Sequence, residues 1–202
     1  ALLEEGVSPV LIDKAGLISG MPVGPLALAD EVSIELVYKI ASETRTELGG
    51  AYVEGADYRV GSKMVAELWR LGKKIGKGFY DYPEGGQKHI WPELARHFPQ
   101  KPESEQPSVE QIRERLIMVQ SIDTVRCLEE KVLRAPIDAD VGAILGWGFP
   151  PFRGGPLGWL HTIGLKQAVA DCERLAAAHG PRFAAPKLLL DLAERGEDFF
   201  PV

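Results

Sequence analysis

Gly20-Met21-Pro22-Val23-Gly24-Pro25-Leu26 and Gly148-Phe149-Pro150-Pro151-Phe152-Arg153-Gly154-Gly155-Pro156-Leu157 are two versions of one Gly/Pro corner, and reading them as copies decides the fold. Neither run can be helix interior, because proline fixes φ and removes a donor while glycine admits positive φ. Working outward, Leu3-Glu4-Glu5-Gly6 matches Leu128-Glu129-Glu130-Lys131, and Ile12-Asp13 matches Ile137-Asp138, both 125 residues apart. The separation grows from 128 to 131 through the corner, which places small insertions in a loop. Further on, Lys63 to Leu68 with Gly72 meets Lys187 to Leu192 with Gly196 at a separation of 124. Phe79-Tyr80 and Phe199-Phe200 close each unit. Several local matches in one order signify a tandem duplication.

The signals inside each copy are helical. Ser8-Pro9 reads as a cap with proline at the first helical position, and Gly20 as the stop. In the second copy Pro136 opens the equivalent helix and Gly146 is expected to close it. Ser33 reads as the cap of a stretch in which Ile34, Val37, Ile40 and Ala41 share a face up to Gly49-Gly50, with Leu165 to Ala178 as its counterpart, ended by Gly180. A further helix is predicted over 61–71, with its counterpart over 186–195. The second copy alone has a long opening helix, about Val109 to Leu133, in which Ile112, Leu116, Val119, Ile122, Val125 and Leu128 recur at spacings of three and four. The first copy has only the tail of that helix, Leu2 to Gly6. Strand-like alternation is weak throughout, so the reading is all-α. Residues 1–88 form a first, N-terminally truncated helical domain, 89–108 a linker, and 109–202 a second domain. The linker reading rests on the polar, proline-containing run from His97 to Pro107.

The 202 residues carry 45% hydrophobic and 26% charged side chains, the balance of a globular protein. A net charge of −6 and a pI near 5.3 argue against a general nucleic-acid binder. No apolar run reaches the roughly 18 residues that a membrane span requires. The first residues have neither the basic region nor the apolar stretch of a signal peptide, and without an initiator Met the chain reads as a piece of something longer. Cys127 and Cys172 lack metal or redox spacing and read as buried free thiols of a reducing compartment.

The chemistry-bearing residues are sparse. The Gly20–Pro25 corner reads either as a tight interhelical turn or as a turn whose N–H groups and apolar surface line a ligand cleft. Gly72-Lys73-Lys74-Ile75-Gly76-Lys77-Gly78 lacks Walker spacing and neither follows a strand nor opens a helix, so it fails as a nucleotide fingerprint. It reads as a helix stop before an extended segment that anchors Phe79 and Tyr80, with lysines that could meet phosphates from a rim. His89, His97, His161 and His179 have no metal-ligand spacing, and no nucleophile elbow occurs. Spacing alone names no catalytic group and no metal site.

The combination of Leu-Glu-Glu-Gly, Ile-Asp, the Gly20 to Asp30 run and Gly72 to Tyr80 resembles the C-terminal domain of the 3-hydroxyacyl-CoA dehydrogenases. The tandem arrangement, with Gly148 to Pro156 in the second copy, is similar to the fatty-acid oxidation α-subunits. There a hydratase domain and a nucleotide-binding domain precede two such helical domains. The resemblance implies two bundles like the 6-phosphogluconate dehydrogenase C-terminal fold, and oxidation of 3-hydroxyacyl-CoA by NAD bound to a domain absent from this chain. It implies no catalytic residue here: the His–Glu pair lies in the nucleotide-binding domain, and the family's substrate-holding Asn precedes Ala1, with Glu114 at the equivalent place in the second copy. Met21, Pro22, Val23, Gly24 and Pro25 match the family segment facing the acyl-CoA cleft, which makes them the candidate substrate-binding residues.

The resemblance further implies β-oxidation, homo-oligomers, a thiolase partner subunit, and a cytoplasmic location in bacteria or a mitochondrial or peroxisomal one in eukaryotes. Two other readings stand beside it: a free-standing helical interaction module that binds no CoA, and an oxidoreductase with its own site. The first copy's short helices lack the partner that the long helix gives the second. Self-association over that face is therefore expected.

Overall fold

The computed structural model describes residues 1–200. Two compact units emerge: Ala1–Leu17 with Val23–Val109, and Ile18–Pro22 with Glu110–Val202. Helices dominate both, as the all-α reading requires, and no described helix is long and apolar enough to cross a membrane.

In the first unit, Pro9 opens α1 (Pro9–Ile18). It is followed by α2 (Pro25–Val32), α3 (Ile34–Leu48) and α4 (Ala56–Ser62). The helix predicted over 61–71 starts earlier and runs out through a π turn, Lys63–Glu67, after which Trp69 takes φ 52°. The wider turn, with Leu68 N–H bonded to the Lys63 carbonyl, ends regular helix and delivers Arg70 inward. An antiparallel pair, β1 (Tyr80–Asp81) with β2 (His89–Ile90), and the short α5 (Leu94–His97) complete this unit.

Segment 89–108 departs from the linker reading. Leu94 and Phe98 are buried at 1% and 7% exposure, and Lys63 Nζ donates to the His97 carbonyl at 2.7 Å. Lys101 N–H and Gln106 Nε2 both donate to the Gly6 carbonyl. The run is polar in composition, but its two apolar anchors tie it to the first unit.

The second unit holds α6 (Val109–Glu129), α7 (Pro136–Trp147), α8 (Pro156–Ile163), α9 (Leu165–His179) and α10 (Lys187–Arg195). Its core is built around Met118, Ile122 and Val125 of α6 and Leu157, Cys172 and Leu189 opposite them. Helix α6 stops at Glu129 instead of reaching Leu133, with Lys131 in the left-handed region. Gly148, not Gly146, terminates α7 in the αL conformation.

The duplication shows in matching elements. α2 and α8 have eight residues each, α3 and α9 fifteen each, and one positive-φ residue joins each pair, Ser33 at 93° and Gly164 at 85°. Ser33 does not cap α3 as expected. Its hydroxyl donates to the Leu71 carbonyl at 3.3 Å.

Candidate functional site

A carboxylate clasp recurs in both units. Asp13, the fifth residue of α1, accepts from the Leu26 N–H at 2.7 Å and the Ala27 N–H at 3.2 Å. Asp140, the fifth residue of α7, accepts from the Leu157 N–H at 2.7 Å and the Gly158 N–H at 3.0 Å. These are first-turn donors of α2 and α8, which helix geometry leaves without intrahelical partners. Asp140, and not Asp138, is therefore the counterpart of Asp13, so the sequence pairing of Ile12-Asp13 with Ile137-Asp138 slips by two residues. Each clasp demands a glycine before the helix: a Cβ on Gly24 or Gly155 would lie 2.4 Å from the aspartate side chain.

In the first unit the clasp extends into a network. Tyr80 donates its hydroxyl to Asp13 Oδ2 at 2.6 Å. Asp30, 1% exposed, accepts from the Phe79 and Tyr80 N–H groups at 2.8 and 2.9 Å and from the Tyr82 hydroxyl at 3.1 Å. Gly78 is obligatory there, since its Cβ would stand 2.0 Å from Asp30 Oδ1. Arg70 donates to the Gly78 carbonyl at 2.6 Å and to Asp81 Oδ1 at 2.5 Å, and its guanidinium stacks on Trp91 at 4.1 Å. Burial raises the Asp30 and Asp140 carboxyls above their ordinary value against the pull of their backbone donors. Burial, and next the Asp13 hydrogen bond for Tyr80 and the Asp30 charge for Tyr82, pushes both phenols up and keeps them protonated. Every member named above is engaged with another, so the cluster acts as a clamp on the chain.

The clamp fixes the candidate corner from one side. Gly24 is buried as the residue before α2, Pro25 begins the helix, and Val23 is half-buried, all within the first unit. Met21 and Pro22 belong to the second. Met21 packs on Ile117, Ala143 and Phe149, while Pro22 is exposed and its ring would meet a Cβ on Gly148 at 2.6 Å. A Cβ on Gly20 would touch the Phe152 ring at 2.4 Å. The second unit thus contains the start of the first corner, Gly20–Pro22, against Gly148–Phe152 of the second. The five candidate residues are divided between units rather than gathered within one.

The Gly/Lys loop does not fit a dinucleotide. Gly72 and Gly76 N–H donate to the Lys77 and Lys73 carbonyls, Lys77 N–H to Gly72, and Gly78 N–H to Tyr80. These bonds, with Ile75 N–H on the Gly72 carbonyl, turn most of the loop's amides inward. The loop's anchoring of aromatics matches the sequence reading: Phe79 is buried, although Tyr80 is only partly so.

Glu114 pairs with Arg174. Among the histidines, His161 Nδ1 lies 2.7 Å from Asp198 Oδ2, and His97 stacks on Trp91. Cys172 is fully buried, with its thiol pushed up to about 11 by burial, whereas Cys127 is only partly buried. No group of three or more potential metal ligands occurs among the described residues.

Comparison with known proteins places this architecture. The family profile of the 3-hydroxyacyl-CoA dehydrogenase C-terminal domain matches residues 1–82. A solved 3-hydroxybutyryl-CoA dehydrogenase from Escherichia coli superposes with a TM-score of 0.66 at 19% identity, covering 96% of this chain and 56% of that one. The dehydrogenase part of multifunctional enzyme 1 from Caenorhabditis elegans gives a TM-score of 0.61 at 17% identity, covering 94% of this chain and 43% of that one. The chain therefore spans about half the length of these structures, which share its fold. It is an all-α protein that shares the fold of these structures.

Sequence reasoning missed Asp30 and Arg70 as network centres. The signal was present in Gly78, a glycine directly before two aromatics, but nothing local says which carboxylate it admits.

Proposed function

We propose that this chain is the non-catalytic helical part of an NAD-dependent 3-hydroxyacyl-CoA dehydrogenase of fatty-acid oxidation, with Met21–Pro25 as a wall of the acyl-CoA cleft. The observation that carries the reading is the family match over the residues that build the Asp13–Asp30 clamp. The clamp is satisfied internally and holds the corner's backbone fixed, which suits a wall that excludes water from hydride transfer without moving a proton itself. NAD supplies the hydride acceptor. In this proposal a separate domain of the intact enzyme binds it, and another carries the hydratase activity.

Incubation of this chain with 3-hydroxybutyryl-CoA and NAD is expected to give no NADH. Turnover would make the chain an enzyme in its own right and end the non-catalytic reading. In the complete enzyme, Val23→Phe is the informative wall variant and should raise KM several-fold at unchanged fold stability. Gly24 is unsuitable, because any side chain there strikes Asp13. Unchanged kinetics in Val23→Phe would reduce the corner to a turn.

Subunit association is supported by apolar side chains on the first unit. Leu28 and Val32 of α2 and Leu36 and Ile40 of α3 are 40 to 55% exposed, whereas the equivalents of the first two, Trp159 and Ile163, pack against the second unit's core. The thiolase partner and the compartments named above remain part of the same proposal.

A further inference from the structure

The two copies differ at the turn before α1 and α7. In the first unit Leu3, Gly6, Val7 and Pro9 are all buried. The chain's own segment 94–106 is tied to this turn, where Gln106 Oε1 also accepts from the Ser8 N–H at 2.9 Å. A Cβ on Gly6 would meet Lys101 and Pro99 at 3.0 to 3.2 Å, and Phe98 seats beside Lys63, whose Nζ lies 5.1 Å from the ring centre. Met64, next to it, is wholly buried.

The second unit has the same seat without the cover. Lys131 takes the place of Gly6 and keeps its left-handed backbone, φ 61° against 81°. Val132 is 69% exposed where Val7 is 2% exposed, and Leu128, Pro136 and Leu188 are only half-buried where Leu3, Pro9 and Met64 are buried. Between them lies an open cavity of about 510 Å³, floored by Leu128, Leu188 and Phe199 and lined also by Lys131, Arg134 and Asp198, whose carboxylate already pairs with His161 Nδ1 at 2.7 Å. Neither cation makes a side-chain hydrogen bond or ion pair among the described residues. A lysine at a left-handed position carries backbone strain that glycine avoids.

We propose that this groove of the second unit receives an extended, acidic segment of a partner polypeptide. The segment lies as 94–106 lies on the first unit, with an aliphatic and an aromatic anchor in the cavity and a carboxylate on Lys131 and Arg134. The sister unit shows the binding mode, and the exchange of Gly6 for Lys131 sets the charge of the occupant: where the first unit's own segment places Lys101, the partner places an acid. None of Met21–Pro25 lines the groove, so the inference does not depend on the dehydrogenase reading.

The test uses two fluorescent peptides, one with the sequence of residues 92–107 and one with Lys101→Glu, titrated against the full 202-residue chain by anisotropy. The Lys101→Glu peptide is expected to bind at least about tenfold more tightly, as a charge-assisted contact would give. Lys131→Glu and Arg134→Glu, both on exposed side chains, should abolish that preference with an unchanged circular dichroism spectrum. Equal binding of both peptides, or no binding, overturns the proposal. So does binding of octanoate that depends on Lys131 in the absence of peptide binding, which would make the groove a small-amphiphile site. Loss of self-association in Lys131→Glu would assign the groove to a second copy and equally overturn it.

Discussion

Asp30 concentrates the physics of the first unit in one side chain. Its carboxylate closes three hydrogen bonds from β1 and its flanks while burial works against its charge. Asp30→Asn cannot accept from two backbone N–H groups and the Tyr82 hydroxyl together, and should cost about 1–3 kcal/mol at neutral pH. Because the folded value is raised, folding favours the protonated acid: that contribution is full below the unfolded value of 3.8 and is lost as pH rises through the folded one. The gap between wild type and Asp30→Asn should therefore widen between about pH 7 and about pH 4 in urea titrations. A gap that narrows would mean that the hydrogen bonds outweigh burial. Gly78, Gly24 and Gly155 were visible in the sequence as glycines, but their obligatory character was not, because it comes from aspartates 11 to 48 residues away.

At the scale of elements, most boundaries could be read from punctuation. Pro9, Pro25, Pro136 and Pro156 each start a helix, and Gly49, Gly148, Gly180 and Gly196 follow one. What failed were cases where a distant contact overrides the local signal. Ser33 looks like a cap and is instead a positive-φ joint bonded to Leu71, the place its copy gives to Gly164. Segment 97–107 looks like a linker and is anchored by Phe98. Gly146 looks like a stop, yet lies inside α7 with open space around its absent Cβ. Gly146→Ala should accordingly stabilise the protein by about 0.5–1 kcal/mol. Gly24→Ala and Gly155→Ala should each destabilise it by about 1–3 kcal/mol through overpacking against the clasp. Thermal melting of the three variants checks the contrast, and a destabilised Gly146→Ala would contradict the helix register.

For the molecule as a whole, the duplication was legible and its consequences were not. The repeat predicted two helical units, and the clasp geometry matches in both. Sequence could not show that one copy covers its turn with its own chain while the other leaves a cavity, since both turns carry the same Leu-Glu-Glu signature. Nor could it show which apolar side chains stay uncovered. Leu28, Val32, Leu36 and Ile40 belong to adjoining helices of one unit, and covering each fully is worth about 1.5–3 kcal/mol. Light scattering should show the chain's mean mass rising with concentration, and Leu36→Lys with Ile40→Lys should suppress the rise. A mass constant over the accessible range would leave that face exposed by design.

The division of the Gly/Pro corner bears on how this protein can be taken apart. Residues 18–22 come early in the chain yet supply Met21 to the Ile117, Ala143 and Phe149 cluster. Severing the backbone after Val109 would therefore not release two self-sufficient halves: the later piece would lose a borrowed plug and bare Phe149 to solvent. Co-expression of both pieces, rather than either alone, is the arrangement that should restore a soluble product, since only the early piece brings the missing pentapeptide.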